Sequence, residues 1–282
     1  MRTRLECIPC LMRQAAGLAG ENLPERMQEP FIRRVLEDLV RFDFAGPPPM
    51  FTRGIYRLLK DMDGNDDPFE AQKALFNRQA LMLYPGLKQL VESRPDPLEA
   101  ALRIAVAGNV IDFGIHDPSG IAIEQTIANA LNSTFAVNRI PELVEELESA
   151  QSVLYLADNA GEIVLDRLFI ERIGPGRVTC ALRSAPVIND ATVADAIQAG
   201  LDKICRVVPS GSDAPGTPLE LCSEEFRGLF RSADVVISKG QGNFETLDAP
   251  GRGVFHLMMA KCPVVAREVG VPLGSFIVAK KC

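Results

Sequence analysis

The sequence has no tryptophan and only two histidines, His116 and His256, among its 282 residues. A histidine-rich zinc site is therefore excluded, and neither histidine lies in a recognisable nucleophile or protease motif. No apolar run reaches the roughly 18 residues of a membrane-spanning helix, and the first ten residues, MRTRLECIPC, lack the apolar core of a signal peptide. We expect a cytoplasmic protein with no membrane association.

The charge and the cysteines exclude two further classes of protein. The net charge is −7 with both signs interspersed, so the chain lacks the basic face that nucleic-acid binding requires. Its seven cysteines are odd in number and loosely spaced, which is not the pattern of a secreted disulfide scaffold. A small anionic substrate is compatible with this composition if lysines or arginines gather at one place.

The hydrophobic pattern changes near residue 100. Before it, apolar residues such as Phe31, Val35 and Leu39 recur at helical spacing. From about residue 150, short apolar runs alternate with helical segments, which predicts βαβ units and a mostly parallel sheet. We therefore expect a helical N-terminal subdomain at 1–100 and an α/β domain at 101–282. The predicted strands are Val153–Ala157, Val178–Leu182, Ile204–Val208 and Val235–Ser238, with weaker patterns at Val254–Met258 and Phe276–Ala279.

The segments between these strands are predicted to be helices and loops. The predicted helices are Glu162–Ile173, Ala191–Ala199 and Leu219–Arg231. Residues 101–149 fit two or three connecting helices, although Ile104–Ala107 also fits a strand. The segment 209–218, PSGSDAPGTP, has the composition of a mobile loop and is a candidate lid.

Oxygen-bearing side chains follow the first predicted strand. Asp158 and Asn159 come at its end, and Glu162 begins the next helix. In open α/β sheets, ligands bind at this carboxyl edge. A carboxylate beside an amide carbonyl suits Mg²⁺ or Mn²⁺, and the free N–H groups of a helix start suit phosphate. The combination indicates phosphoryl chemistry.

Asp190 follows the second predicted strand, within the segment SAPVINDAT. Because neighbouring parallel strands bring their carboxyl ends together, Asp190 can approach Asp158 and supply a third oxygen ligand. Water and a substrate phosphate would complete an octahedral metal site. An N-cap is a common role for Asp at such a position, and the sequence leaves both interpretations open.

A lysine followed by two glycines stands after the fourth predicted strand, in the segment SKGQGNFE. Gly240, Gln241 and Gly242 would let the backbone approach an anion, with the Lys239 ammonium as its counter-charge. The order of residues differs from that of a P-loop, in which the Lys comes last. Lys261 is a candidate for a second phosphate-binding cation, and a solvated surface lysine is the alternative.

Two further pairs of residues are candidates for the site. Asn109 and Asp112 are three residues apart, so a helix would place them on one face, toward the site or toward solvent. Cys7 and Cys10 form a single CxxC without the second pair or histidines of a structural zinc site. Cys7 and Arg13 have the spacing of cysteine phosphatases, but the intervening IPCLM has no glycine and contains a proline. A structural, metal-binding or redox role for the CxxC stays open.

Six segments of the chain together resemble the domain-of-unknown-function-89 family of metal-dependent damage-control phosphatases, and most closely its prokaryotic branch with an N-terminal CxxC. They occur in the same order and span residues 6–266. The six segments are ECIPCLMRQA, GNVIDFG, DNAGEIVLD, APVINDAT, SKGQGNFETL and AKCPVVA.

The resemblance implies a Rossmann-like α/β/α core, with a mostly parallel sheet, beside a helical N-terminal subdomain. It implies a divalent metal, Mg²⁺, Mn²⁺, Co²⁺ or Ni²⁺, held by Asp158, Asn159 and Asp190. It also implies phosphate contacts from the SKGQGNFE segment, above all Lys239 and Asn243, and from two residues outside it, Lys261 and Arg183. Members of the family hydrolyse sugar phosphates and damaged phospho-metabolites.

The hypothesis from the sequence is a metal-dependent phosphomonoester hydrolase that acts on a small phosphorylated metabolite. One alternative is a non-catalytic module that binds a nucleotide or sugar phosphate, because a fold by itself does not imply turnover. A carboxyl methyltransferase is a weaker alternative, since no GxGxxG loop follows a predicted strand.

Overall fold

The structure, a computed structural model, describes residues 1–109, 121–247 and 251–281, without the side chains of residues 121–124. The α-helices in these ranges are α1 (Cys7–Asn22), α2 (Glu25–Arg41), α3 (Pro48–Asp63), α4 (Glu70–Glu92), α5 (Pro97–Gly108), α6 (Ile121–Asn132), α7 (Ile140–Ser149), α8 (Glu162–Ile173), α9 (Val193–Gln198), α10 (Glu224–Ser232), α11 (Gly240–Thr246) and α12 (Pro263–Val269). The strands are β1 (Val137–Asn138), β2 (Val153–Leu156), β3 (Val178–Leu182), β4 (Arg206–Pro209), β5 (Val235–Lys239), β6 (Val254–Met259) and β7 (Phe276–Lys281).

The seven strands form one sheet in the order β1-β7-β6-β5-β2-β3-β4. All neighbouring pairs are parallel except β6 and β7. From β2 the chain builds outward to β3 and β4, and then returns to place β5 on the other side of β2. This reversal makes a crevice at the carboxyl ends of β2 and β5, where ligands bind in doubly wound sheets.

Helices cover both faces of the sheet, because alternate residues of a strand point to opposite sides. Val153 and Tyr155 of β2 pack in a core with residues of α5 and α8. Leu154 and Leu156 pack on the other side, in a core that includes Phe226 of α10. The predicted three-layer α/β/α class with a mostly parallel sheet is confirmed.

The N-terminal helices divide between two cores. Helices α1, α2 and α3 form a separate apolar cluster that includes Leu11, Phe31 and Leu59. Helix α4 instead contributes Phe76 and Ala80 to the large core beneath the sheet. The domain boundary at residue 100 stays a prediction, and three of the four helices before it share a core of their own.

Local capping explains where several predicted elements differ from the observed ones. The alternative strand at Ile104–Ala107 is wrong: helix α5 runs through it, with Pro97 in its first turn and the Asp96 carboxylate accepting from the Glu99 N–H. Helix α10 begins later than predicted because Ser223 caps it through the Phe226 N–H. The glycine-containing segment after β5 is the helix α11 rather than a loop.

The segment 209–218 is packed into the molecule. Ser212, Ala214 and Thr217 are buried, and the Asp213 carboxylate forms ion pairs with Arg53 at 2.6 Å and Arg57 at 2.7 Å. Both arginines belong to α3, so this segment ties the N-terminal helices to the sheet. Its burial contradicts the expected mobile lid. Within the described ranges, no helix is both long and apolar enough to cross a membrane.

Candidate functional site

Asp158, Asn159 and Asp190 meet at the carboxyl edge of the sheet. The loops that follow β2 and β3 are joined by backbone hydrogen bonds, from Ala191 N–H to the Asp158 carbonyl at 2.7 Å and from Ala160 N–H to the Asn189 carbonyl at 2.9 Å. An isolated bridge also pairs Asn159 with Asp190. The three predicted metal ligands are therefore adjacent, as the parallel order of β2 and β3 led us to expect.

The Asn159 side chain is held so that its carbonyl oxygen remains available. Its Nδ2 donates to Asp158 Oδ2 at 2.9 Å and to Glu162 Oε2 at 3.0 Å. Carboxylates only accept hydrogen bonds, so the amide nitrogen must face them and Oδ1 must point away. Asn109 donates to the same two oxygens, at 3.0 and 3.2 Å, and its buried Oδ1 has no hydrogen-bond partner among the residues that the structure describes.

Arg183 lies between the two aspartates. Its side chain is 2% exposed, with Nε donating to Asp190 Oδ2 at 2.7 Å and Nη2 lying 3.6 Å from Asp158 Oδ1. Nη2 also donates to the Asn243 side-chain oxygen at 3.2 Å. A phosphate contact for Arg183 or Asn243 stays a prediction. In the structure, both are buried and use their polar groups inside the protein.

Asp158 and Asp190 are buried where their charged forms are disfavoured. Burial, together with repulsion from Glu162 and Asp190, raises the pKa of Asp158 well above its usual value, despite Arg183. Burial also raises the pKa of Asp190, although Arg183 opposes the shift. A cation bound between these carboxylates would favour their ionised forms.

The donor set fits a hard divalent cation that keeps open positions. In the ranges that the structure describes, no three or more His, Cys, Asp or Glu side chains are arranged to hold a metal by themselves. The candidate set is different, with two carboxylates and the free amide oxygen of Asn159. Mg²⁺ and similar ions are commonly bound by one or two carboxylates, with water and substrate phosphate completing the shell. The residues therefore fit the metal that the family resemblance implies.

Lys239 points into the protein. It is 0% exposed, and its Nζ donates to the Ala105 carbonyl at 2.8 Å, to Glu162 Oε1 at 2.7 Å and to Asp166 Oδ1. Burial alone would raise the pKa of Glu162, but the Lys239 ammonium more than offsets this and lowers it. Burial raises the pKa of Asp166 to about 7, and Lys239 only partly opposes that shift. The phosphate contact of Lys239 stays a prediction.

Gly240 allows the backbone after β5 to press against Asp158. Its φ is +78°, and a Cβ there would lie 1.9 Å from Asp158 Oδ2. Gln241 and Gly242 follow at the wall of the adjoining cavity, and Gln241 Oε1 accepts from the Lys261 N–H at 3.2 Å. A glycine is therefore required at position 240 for steric reasons as well as for its backbone angle.

A cavity of about 580 Å³ opens over Asp158, Asn159 and Asp190. Lys261 lines it, is exposed, and takes part in no ion pair between described residues. Cys7 and Cys10 line the same cavity. Their role stays open, but their place at the site is clear. Asp112 lies outside the described residues.

The opposite wall of the cavity comes from α1 and α3, and apart from Cys7 and Cys10 its residues were not predicted as site residues. They are Leu11, Arg13, Gln14, Pro48, Pro49 and Thr52. Arg13 was considered only for its spacing from Cys7, although it lies one helical turn after Cys10 in the segment ECIPCLMRQA. Ile188 also lines the cavity, with a φ of +49° that is costly for a β-branched residue. Such strain clusters at functional sites.

Comparisons with known proteins agree with this geometry. A family model described as damage-control phosphatase ARMT1-like domain matches residues 3–277. The damage-control phosphatase PH1575 of Pyrococcus horikoshii is 34% identical over 285 residues, covering 98% of this chain and 97% of the relative. A damage-control phosphatase of Archaeoglobus fulgidus is 32% identical over 229 residues, covering 79% of each chain.

The fold agrees as well. The crystal structure of PH1575, described as a DUF89 family protein, matches with a TM-score of 0.92 and 33% identity over the whole of both chains. The resemblance that six short segments indicated is confirmed over the full length. The chain therefore belongs to the ARMT1-like, or DUF89, family of damage-control phosphatase domains.

Proposed function

We propose that the protein is a metal-dependent phosphatase of small phosphorylated metabolites. The observation that carries this proposal is the meeting of two buried aspartates with the Asn159 amide oxygen, which accepts no hydrogen bond from the described residues, at the carboxyl ends of β2 and β3. The relatives in Pyrococcus horikoshii and Archaeoglobus fulgidus, both named damage-control phosphatases, support it. Asp158, Asn159 and Asp190 would hold the metal, which is Mg²⁺, Mn²⁺, Co²⁺ or Ni²⁺ in our proposal.

The metal, when bound, supplies Lewis-acid stabilisation of the negative charge that develops on the phosphoryl oxygens. Lys261 would hold a further phosphate oxygen, since it lines the same cavity without an ion-pair partner of its own among the described residues. The backbone of Gly240, Gln241 and Gly242 is the candidate for the remaining contacts. Both direct attack by water, oriented by a carboxylate, and attack by the Asp158 carboxylate itself are compatible with this arrangement.

The test is hydrolysis of p-nitrophenyl phosphate with Mg²⁺, Mn²⁺, Co²⁺ or Ni²⁺, and again after EDTA. We expect activity that EDTA abolishes and that Asp158→Ala or Asp190→Ala lowers by about 10³-fold or more. The exposed Asp202 provides the control variant, and Asp202→Ala should retain normal turnover. Near-normal turnover in either site variant would reject the assignment. Tight phosphate binding without turnover would favour the non-catalytic binding module instead.

A further inference from the structure

We infer that Lys239 is a positioning residue, which fixes the metal ligand Asn159 through Glu162 and makes no contact with the substrate phosphate. The inference rests on the proposed metal site at Asp158, Asn159 and Asp190. It assigns a different role to the lysine that stands first in the glycine-containing segment after β5.

The hydrogen bonds of Lys239 account for all of its donors. An ammonium group has three N–H donors and no acceptor. Nζ uses them on the Ala105 carbonyl, Glu162 Oε1 and Asp166 Oδ1. Its side chain is 0% exposed, and Lys239 is absent from the residues that line the cavity over the aspartates. A phosphate in that cavity would find no free donor on this lysine.

Glu162 connects Lys239 to the metal ligands. One of its oxygens, Oε1, accepts from Lys239 at 2.7 Å, and the other, Oε2, accepts from Asn159 Nδ2 at 3.0 Å. The same Oε2 accepts from Asn109 Nδ2 at 3.2 Å. Because the amide nitrogen of Asn159 donates to Glu162 and Asp158, its Oδ1 faces away from both carboxylates, and Asn159 itself lines the cavity. Hydrogen bonds that orient metal ligands in this way commonly change metal affinity when they are removed.

Lys239 is the cation that contacts both buried carboxylates of α8. Glu162 and Asp166 are each 1% exposed, and a buried carboxylate needs a cation or hydrogen-bond donors beside it. Tyr155 contributes a neutral donor, with its hydroxyl 2.8 Å from Asp166 Oδ1. Lys239 therefore holds Glu162 Oε1 while Glu162 Oε2 accepts from Asn159, and so keeps Asn159 in place.

The test is Mn²⁺ binding by calorimetry to wild type and Lys239→Met, a change that removes the charge at similar length. We expect a Kd for Mn²⁺ that is weaker by about 10- to 100-fold. At saturating Mn²⁺, kcat for p-nitrophenyl phosphate should fall, while KM and inhibition by inorganic phosphate stay within about threefold of wild type. A phosphate ligand would give the reverse pattern, with KM and phosphate inhibition weakened and Mn²⁺ affinity unchanged, and that result would overturn the inference.

A double variant separates positioning from a general loss of stability. In Lys239→Met/Glu162→Gln, the uncompensated charge at residue 162 is gone, and the Gln carbonyl can still accept from Asn159. We expect Mn²⁺ to bind about threefold or more tightly to the double variant than to Lys239→Met. If the losses of Mn²⁺ affinity in the two single variants simply added in the double variant, this expectation would be contradicted.

Lys73 provides a matched control. It is another buried lysine, 3% exposed, paired with Asp67 at 2.8 Å and Asp195 at 3.1 Å. Lys73→Met should lower the melting temperature without changing Mn²⁺ affinity. If Lys239→Met does not fold, Glu162→Ala decides alone, because it removes both acceptor oxygens, and unchanged Mn²⁺ affinity there would reject the relay. A wild-type protein that bound Mn²⁺ but hydrolysed no phosphate ester would reject the proposed function and leave this inference standing.

Discussion

At Gly240, the backbone lies directly against the side chain of Asp158, a proposed metal ligand. The backbone turns there at φ +78°, directly against the Asp158 carboxylate. The close approach leaves no space for even a methyl group, so the position of Asp158 depends on the absence of a side chain at a residue far away in the sequence. A single carbon added here should disturb the chemistry more than the stability.

We predict that Gly240→Ala abolishes most metal binding and turnover. The new Cβ would lie 1.9 Å from Asp158 Oδ2, so the carboxylate must move. Gly270→Ala is the matched control, because Gly270 has a φ of +79° and a Cβ added there would meet nothing within 4 Å. The left-handed backbone angle should lower the free energy of unfolding of each variant by about 1–2 kcal/mol, as measured by urea unfolding. Equal activity in the two variants would contradict the predicted role of Gly240.

At this scale, the sequence predicted the placement of the oxygen-bearing side chains better than that of the lysine and arginine side chains. Asp158, Asn159 and Asp190 were predictable because residues at neighbouring parallel strand ends must lie together. Lys239 and Arg183 were harder, because a lysine or arginine near a strand end suits a phosphate and a buried carboxylate equally well. Only the packing of α5 and α8 around Lys239 distinguishes the two, and that depends on contacts between residues far apart in the chain.

Among the elements, β6 holds a buried histidine. His256 is 1% exposed, lies beside Ser238 of β5, and packs edge-on against the Phe244 ring at 5.2 Å. Burial, with a smaller contribution from Lys281, lowers the pKa of His256 to about 3. The folded protein therefore requires a neutral imidazole in the middle of the sheet.

We predict that this histidine makes the protein less stable in mild acid. The unfolded state binds a proton near pH 6.5 and the folded state only near pH 3, so stability is complete above 6.5 and falls as pH decreases toward 3. Unfolding free energies of wild type and His256→Leu, measured from pH 7 to 5, should diverge by up to about 1.4 kcal/mol per pH unit. Carboxylates such as Asp166 contribute equally to both proteins, so parallel curves would contradict the prediction.

The elements themselves were predictable where burial is continuous. Strand β3 matches its predicted range, Val178–Leu182, because nearly every residue in it is buried and apolar. Strand β1 was missed, since two residues carry no periodicity, and it exists only by pairing with β7. Helix α11 was missed because two glycines in seven residues are unfavourable for a helix, and packing against β6 overrides that preference.

For the whole molecule, the metal site should be coupled to folding. The carboxylates of Asp158 and Asp190 are buried with raised pKa values, so a cation bound only by the folded state would stabilise it by mass action. At a hundredfold excess of Mn²⁺ over its Kd, we predict about 2.7 kcal/mol of added stability. Denaturant unfolding with and without Mn²⁺ measures this. Asp158→Ala should show no such gain, and a gain of the same size in that variant would locate the ion elsewhere.

The division of the cavity between two parts of the chain also bears on how relatives diversify. The sheet edge holds the acidic groups, whereas α1 and α3 supply the facing wall. Because those helices have an apolar cluster of their own, substitutions such as those at Leu11 or Thr52 can reshape the space for the organic part of a ligand. New specificities can therefore evolve through substitutions in the wall formed by α1 and α3, while the acidic residues at the sheet edge are inherited unchanged.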